Sequence, residues 1–263
     1  MNDFQSITSD LITSFNDLVY YDEPHKYFLG GQELISVTTL THKYKEPFEG
    51  DYWSNFKAEQ YGVEQYKIQR AWDFINKKGT LKGSLIHDYA ENKLLNKVFK
   101  YPKEQVIAEF GFDPIWVEYK KTKRHVDNFL RASKGKLIPV CTELVMYDKE
   151  SLIAGMADLI FWNVRDQELQ IWDWKTNKSF SKECKERHLT DMFCTLEECD
   201  LEEYSLQLEA YKYILEKNTK YKFGKSFLVW VSHNNDDFEI IETKNRKFYI
   251  NEMVQNRIAE LAA

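Results

Sequence analysis

The sequence predicts an α/β fold with a central mixed β-sheet flanked by helices, and three observations predict it. Segments 137–147, 152–162 and 169–174 are apolar, partly β-branched and separated by turn residues, which reads as three consecutive antiparallel strands. Stretches with a 3.6-residue apolar period lie on both sides of them. Apolar residues make up 43% of the 263 positions, enough for a real core and too many for a disordered chain.

Taken in order, residues 18–21, 27–29 and 34–37 alternate apolar and polar and predict short strands around a Gly30-Gly31 hairpin turn. The spacing of Trp53, Phe56, Tyr61, Tyr66, Ile68, Trp72 and Ile75 predicts a helix over 51–76, with most of its aromatics in the core. Lys78-Gly79-Thr80 reads as a helix stop followed by an N-cap. A second helix over 81–97 follows on Leu81, Leu85, Ile86, Tyr89 and Leu94, and Asp113-Pro114 opens a third over 114–133. After the three strands, residues 178–200 are polar and aperiodic, and the acidic run 183–203 is expected to be a mobile surface insertion. A helix over 202–217, strands near 226–232 and 237–242 and a helix over 246–261 complete the chain. The expected organisation is an N-terminal elaboration, 1–80, packed on a core, 81–263.

Composition narrows the function classes. A net charge of -6 argues against a protein that coats nucleic acid by charge alone, though it leaves open a locally basic groove. The N-terminus has neither a basic stretch nor a long apolar run, so no signal peptide is expected. No stretch approaches the roughly 20 apolar residues of a membrane helix. Cys141, Cys184, Cys194 and Cys199 form no C-x-x-C pair, which argues for free thiols in a reducing cytoplasm over a zinc ribbon.

The chemistry concentrates on the strands. Strand alternation sets Ile171, Asp173 and Lys175 on one face and Trp172 and Trp174 on the other. Asp158 interrupts the preceding apolar strand, and a hairpin would bring it close to Asp173. Two carboxylates that close repel unless a cation lies between them, and a hard divalent ion accepts carboxylate oxygens and leaves room for a phosphate. Lys175 is placed to orient a water or to stabilise developing negative charge. An Asp–Lys ion pair with Asp158 in a turn is the plainer alternative for any one of these residues.

The run Gly155-Met156-Ala157-Asp158 followed by Asp173-Trp174-Lys175-Thr176 resembles the core motif of the PD-(D/E)XK nuclease superfamily, and more narrowly its RecB-like, phage-type exonuclease branch. Ala157 stands where the superfamily's name has proline. The branch's upstream G-x-x-x-H helix motif is matched by Gly83 and His87, with Glu91 one turn further on the same face. A neutral imidazole there is a metal ligand; an ordinary half-buried histidine is the alternative. The resemblance implies a glutamate near the metal at Glu143, against the alternative of an edge-strand residue facing water. It also matches Gln207 and Tyr211 to a Q-x-x-x-Y helix, where they would help to position Lys175 or the nucleic-acid backbone, with Tyr204 on the same face a candidate nucleic-acid contact.

The resemblance covers about residues 83–211 and implies a restriction-endonuclease-like core. It implies a Mg²⁺- or Mn²⁺-dependent deoxyribonuclease, an exonuclease on DNA ends or single strands. His87, Asp158 and Asp173 would be the metal ligands, and Asp158, Asp173, Lys175, Glu143, Gln207 and Tyr211 the catalytic set. No cysteine follows Tyr211, so no iron–sulfur cluster is expected. The alternatives are an RNA endonuclease of the cap-snatching type and a catalytically inactive nucleic-acid-binding or assembly protein. Residues 118–136 hold seven Lys/Arg against two acids. Lys120, Lys121, Lys123 and Arg124 there, with Lys67, Arg70, Lys77, Lys78 and Lys82 beside the G-x-x-x-H helix, are candidate phosphate contacts. Expected partners are the DNA substrate and a recombination or replication protein, with no membrane, in the cytoplasm of a bacterial or phage-infected cell.

Overall fold

The computed structural model describes residues 2–263. The chain runs α1 (Asn2–Ser14), β1 (Leu18–Tyr21), β2 (Lys26–Leu29), β3 (Gln32–Ser36), α2 (Val37–His42), α3 (Gly50–Tyr61), α4 (Gln65–Leu94), α5 (Lys103–Phe110), α6 (Trp116–Ser133), β4 (Leu137–Asp148), β5 (Ile153–Asn163), β6 (Glu168–Lys175), α7 (Asp200–Asn218), β7 (Phe223–Trp230), β8 (Glu239–Glu242) and α8 (Lys247–Ala262). All eight strands join one open mixed sheet in the order β1-β2-β3-β5-β6-β7-β8, with β4 paired to β5.

The pairing of β5 positions the site. β4 runs antiparallel along all of it, from Asp148 opposite Ile153 to Leu137 opposite Asn163. The other edge of β5 is shared: β3 lies parallel to its start, at Ile153 and Ala154, and β6 antiparallel to its end, from Leu159 to Asn163. Residues 155–158 fall in the gap between β3 and β6, and Asp158 stands there.

Alternation along β5 and β6 divides the core. Ile160 and Ile171 join the cluster covered by α1, α7 and α8, while Leu159, Phe161, Trp172 and Trp174 join the cluster under α4 and α6. Trp174 is 2% exposed and meets Phe129 of α6 edge-on at 5.2 Å; truncating a ring so placed costs about 3–5 kcal/mol. Among the described residues no helix is long and apolar enough to cross a membrane.

Four sequence expectations change. The helix stop at Gly79 does not occur: α4 is one 30-residue helix through that position. An exposed glycine costs a helix only about 1 kcal/mol relative to alanine, and Lys78 and Lys82, on either side of it, are both tied to Glu118 of α6. Helices α1 and α5 were not anticipated; α1 buries Leu11 and α5 buries Val106. The aromatics of α3 and early α4 are largely outside the core. Trp53, Phe56, Tyr61 and Tyr66 are exposed, because α3 turns its small residues Ser54 and Ala58 inward. Finally, the acidic 183–203 segment is anchored, since Leu189, Phe193, Leu196 and Cys199 are buried in the core. Its acids are also held, Glu203 by His42 and Lys45, and Glu202 by Lys244 and Arg246.

Candidate metal and catalytic site

β4, β5 and β6 each carry one acid into a single cross-strand row. Thr142 faces Leu159 and Leu144 faces Ala157, so Glu143 stands opposite Asp158. Leu159 faces Trp172, so one step further Asp158 stands opposite Asp173. Neighbours in such a row have Cβ atoms about 4.5–5.5 Å apart, and like charges there are destabilising. Burial first, and then repulsion from the neighbouring acids, pushes Glu143 up to about 9; burial and Asp173 push Asp158 up to about 6. Glu143 also sits at φ 47°, in the left-handed region. A residue with a Cβ held there in mid-strand stores about 1–3 kcal/mol. Strain and electrostatic cost thus fall on one carboxylate.

Helix α4 supplies the nitrogen. His87 Nδ1 lies 3.3 Å from Asp158 Oδ2, and one ligand atom each from His87, Glu143 and Asp158 lie within 4.8 Å of one another. Asp158 Oδ2 also accepts the Trp174 N–H at 2.9 Å, which fixes the carboxylate at the mouth of the gap. Two hard oxygens and an imidazole suit a divalent ion, whose charge would relieve the repulsion that raises both carboxyl groups.

Asp173 lies outside that converging triad. It is 3% exposed, and its Oδ2 is 2.7 Å from Lys175 Nζ. Lys175 in turn donates to Gln207 Oε1 at 3.3 Å and lies 4.1 Å from the centre of the Tyr204 ring. Burial pulls the Lys175 ammonium down, but Asp173, Tyr204 and Asp158 outweigh it, and the net shift is upward. Lys175 is therefore a charged donor and not a base at neutral pH. Gln207 Nε2 donates to the Tyr211 hydroxyl at 2.9 Å, and Asn177 Nδ2 to the Tyr204 hydroxyl at 2.7 Å. The spacing of Tyr204, Gln207 and Tyr211 on α7 thus forms one polar face over the end of β6.

Both glycines of the paired motifs face this assembly. The Tyr211 ring lies so close over Gly155 that a Cβ there would penetrate it, and a Cβ on Gly83 would come 3.4 Å from Thr176 Oγ1. Glu91 accepts from Thr142 Oγ1 at 3.4 Å, behind Glu143. Asp88 and Asp22 were missed by sequence reasoning. Burial raises the Asp88 carboxyl, and Glu91 and Asp22 add to the rise. Asp88 follows His87 directly and could have been noticed, whereas Asp22 arrives through the β1–β2 turn and carries no local signal.

The basic candidates separate. Lys120, Lys121 and Arg124 lie along the outer side of α6, but Lys123 is tied to Asp127 at 3.0 Å. Lys82 is buried between Glu118 and His233. Lys67, Lys77 and Lys78 pair with Glu64, Glu109 and Glu118. Lys77, Lys78 and Lys82 are met because α4 packs its basic side against acids of α5 and α6, whereas Lys67 pairs within the start of α4 and Arg70 makes no ion pair among the described residues.

No protein-family model matches the chain, and no curated protein matches its sequence. Among solved structures it is similar to the protein named "Putative exonuclease" from Eubacterium rectale, at 13% identity over 70% of this chain and 65% of that one, with a TM-score of 0.41. It is also similar to SSO0001, at 14% identity over 69% of this chain and 86% of that one, with a TM-score of 0.28. The chain spans a little under two thirds of the Eubacterium rectale protein.

Proposed function

We propose that the chain is a divalent-metal-dependent nuclease that hydrolyses DNA phosphodiester bonds, working from strand ends. The observation that carries this reading is the convergence of His87, Glu143 and Asp158 beside a charged, half-buried Lys175. His87, Glu143 and Asp158 would hold Mg²⁺ or Mn²⁺, with Asp173 next in the row. A bound divalent ion lowers the pKa of water and offsets charge on a phosphate.

The chain's own groups do the rest. Lys175, fixed by Asp173 and Gln207, presents an ammonium that can orient the attacking water and stabilise negative charge as it develops. Tyr211 holds Gln207, and Gln207 holds Lys175, so these two are positioning residues. Tyr204 lies against the ammonium and limits the water around it.

The test is cleavage of end-labelled single-stranded, duplex and closed circular DNA, and of RNA, with Mg²⁺, Mn²⁺ or EDTA, beside Lys175→Ala. Metal-dependent shortening of linear DNA that Lys175→Ala slows by about 10²-fold or more is the expected result. Cutting that survives EDTA, or that the substitution leaves undiminished, refutes the site. Cutting of closed circles refutes the requirement for ends, and cleavage of RNA alone refutes the DNA assignment.

A further inference from the structure

Among the described residues, the outer face of α6 is a basic surface whose cations make no ion pair, although Arg124 Nη2 donates to the Asp236 carbonyl at 3.4 Å. Trp116, Lys120, Arg124 and Arg131 recur at helical spacing, with Lys121 beside them, along a track of about 22 Å. Among the described residues no carboxylate lies within ion-pairing distance of these four cations, in contrast to Lys123 on the flank, which Asp127 neutralises. Aromatic surface stands at the head of the track. Phe112 is 56% exposed and stacks on Phe74 of α4 with centroids 6.2 Å apart. Trp116 is 41% exposed, and Lys120 Nζ lies 5.3 Å from its ring centre. Helix α6 packs against α4, the helix that carries His87.

Unpaired cations call for a polyanion, and exposed rings among them call for flat apolar partners. We propose that this α6 face, with Phe112 and Trp116, is a holding site for single-stranded nucleic acid, separate from the metal centre. Phosphates lie along Lys120, Lys121, Arg124 and Arg131, and unpaired bases stack on Trp116 and Phe112. Duplex bases are already stacked and hide their faces, so the rings select a single strand. The proposal deepens the nuclease reading and rests on it for the fate of the bound strand, while the binding itself can be measured without catalysis.

The experiment uses the full chain in EDTA, with a fluorescein-labelled oligothymidylate and a duplex of equal length, read by anisotropy over a salt series. Lys120→Glu/Arg124→Glu should weaken single-strand binding by at least about tenfold and flatten the salt slope by about 1.4, two lost phosphate contacts. Trp116→Ala should weaken it by roughly tenfold, leave the salt slope unchanged and leave duplex binding unchanged. Because Trp116 also packs on Tyr101, the charge-reversal variant, at two exposed residues that make no ion pair and whose one tie to another element is Arg124 Nη2 to the Asp236 carbonyl, keeps the test valid if Trp116→Ala is unstable. Equal binding by wild type and the double variant overturns the proposal. So does an equal loss for duplex and single strand with Trp116→Ala silent, which would assign a duplex. Loss of self-association with DNA binding intact would make the face a protein interface and also overturn it. Hydrolysis of bis(p-nitrophenyl) phosphate with Mn²⁺ reads the metal centre alone. Its failure in wild type refutes the nuclease reading and leaves the binding result standing.

Discussion

Replacing Gly155 by alanine drives a methyl group into the Tyr211 ring. Tyr211 is 4% exposed and hydrogen-bonded to Gln207, so the ring has little room to retreat. Overpacking of this kind costs about 1–3 kcal/mol. A ring displaced enough to break the Gln207 bond loses about 1 kcal/mol more. The expected total of ~3 kcal/mol corresponds to a fall in melting temperature of about 6–12 °C, at 2–4 °C per kcal/mol for a chain of this size. The assay is a double-mutant cycle by thermal or urea denaturation with Gly155→Ala, Tyr211→Ala and the pair. Removing the ring removes the clash, so in the Tyr211→Ala background the Gly155 substitution should become nearly neutral. The coupling should then reach about 2 kcal/mol or more, well outside the roughly 0.5 kcal/mol expected of independent sites. Additive effects, or a Gly155→Ala variant as stable as wild type, would refute the contact. They would also refute the chain of contacts from Gly155 through Tyr211 and Gln207 to Lys175.

Other substitutions test the remaining parts. Glu143→Gln should raise the stability of the metal-free protein, since it removes a half-buried, repelled carboxyl group, while weakening Mn²⁺ binding by at least about tenfold; calorimetry and melting in EDTA read the two effects, which should run in opposite directions. Lys175→Met should lower the cleavage rate by about 10²–10³-fold and leave Mn²⁺ binding measurable; an equal loss of both would make Lys175 structural. Glu203 supplies a pH test. Burial opposes its ionisation, but His42 and Lys45 win and hold its pKa down at about 2. A carboxylate depressed on folding stabilises above its unfolded pKa, near 4.3, and that contribution disappears as pH falls towards 2. The stability gap between wild type and Glu203→Gln should therefore be full near pH 6 and shrink between about pH 4 and pH 2; a constant gap would refute the pairing.

Much of the site is written in local spacing. Asp173 and Lys175 share a face because a strand alternates, and Tyr204, Gln207 and Tyr211 share one because a helix repeats every 3.6 residues. The pairing of Asp158 with Asp173 followed from reading two adjacent strands as a hairpin, and the register bears it out. The alignment of Glu143 could not be read the same way, because it depends on a register shift between Pro139 and Cys141 and on a positive φ at Glu143 itself. The parallel seat of β3 on β5, which opens the gap at 155–158, joins residues more than a hundred positions apart and leaves no local mark. Gly79 misled for a related reason: a glycine reads as a helix end unless the tertiary ties on either side, here from Lys78 and Lys82 to Glu118, are known. The aromatics of α3 misled because helical periodicity shows that a face exists without showing whether anything covers it.

The central claim is that His87, Glu143 and Asp158 form a divalent-metal centre. Anomalous diffraction from crystals grown with Mn²⁺ tests it most directly. A single strong peak within bonding distance of His87 Nδ1 or Nε2 and of the Glu143 and Asp158 carboxylates is the predicted result. Crystals that bind Mn²⁺ elsewhere, or show no peak in the gap between β3 and β6, would contradict it.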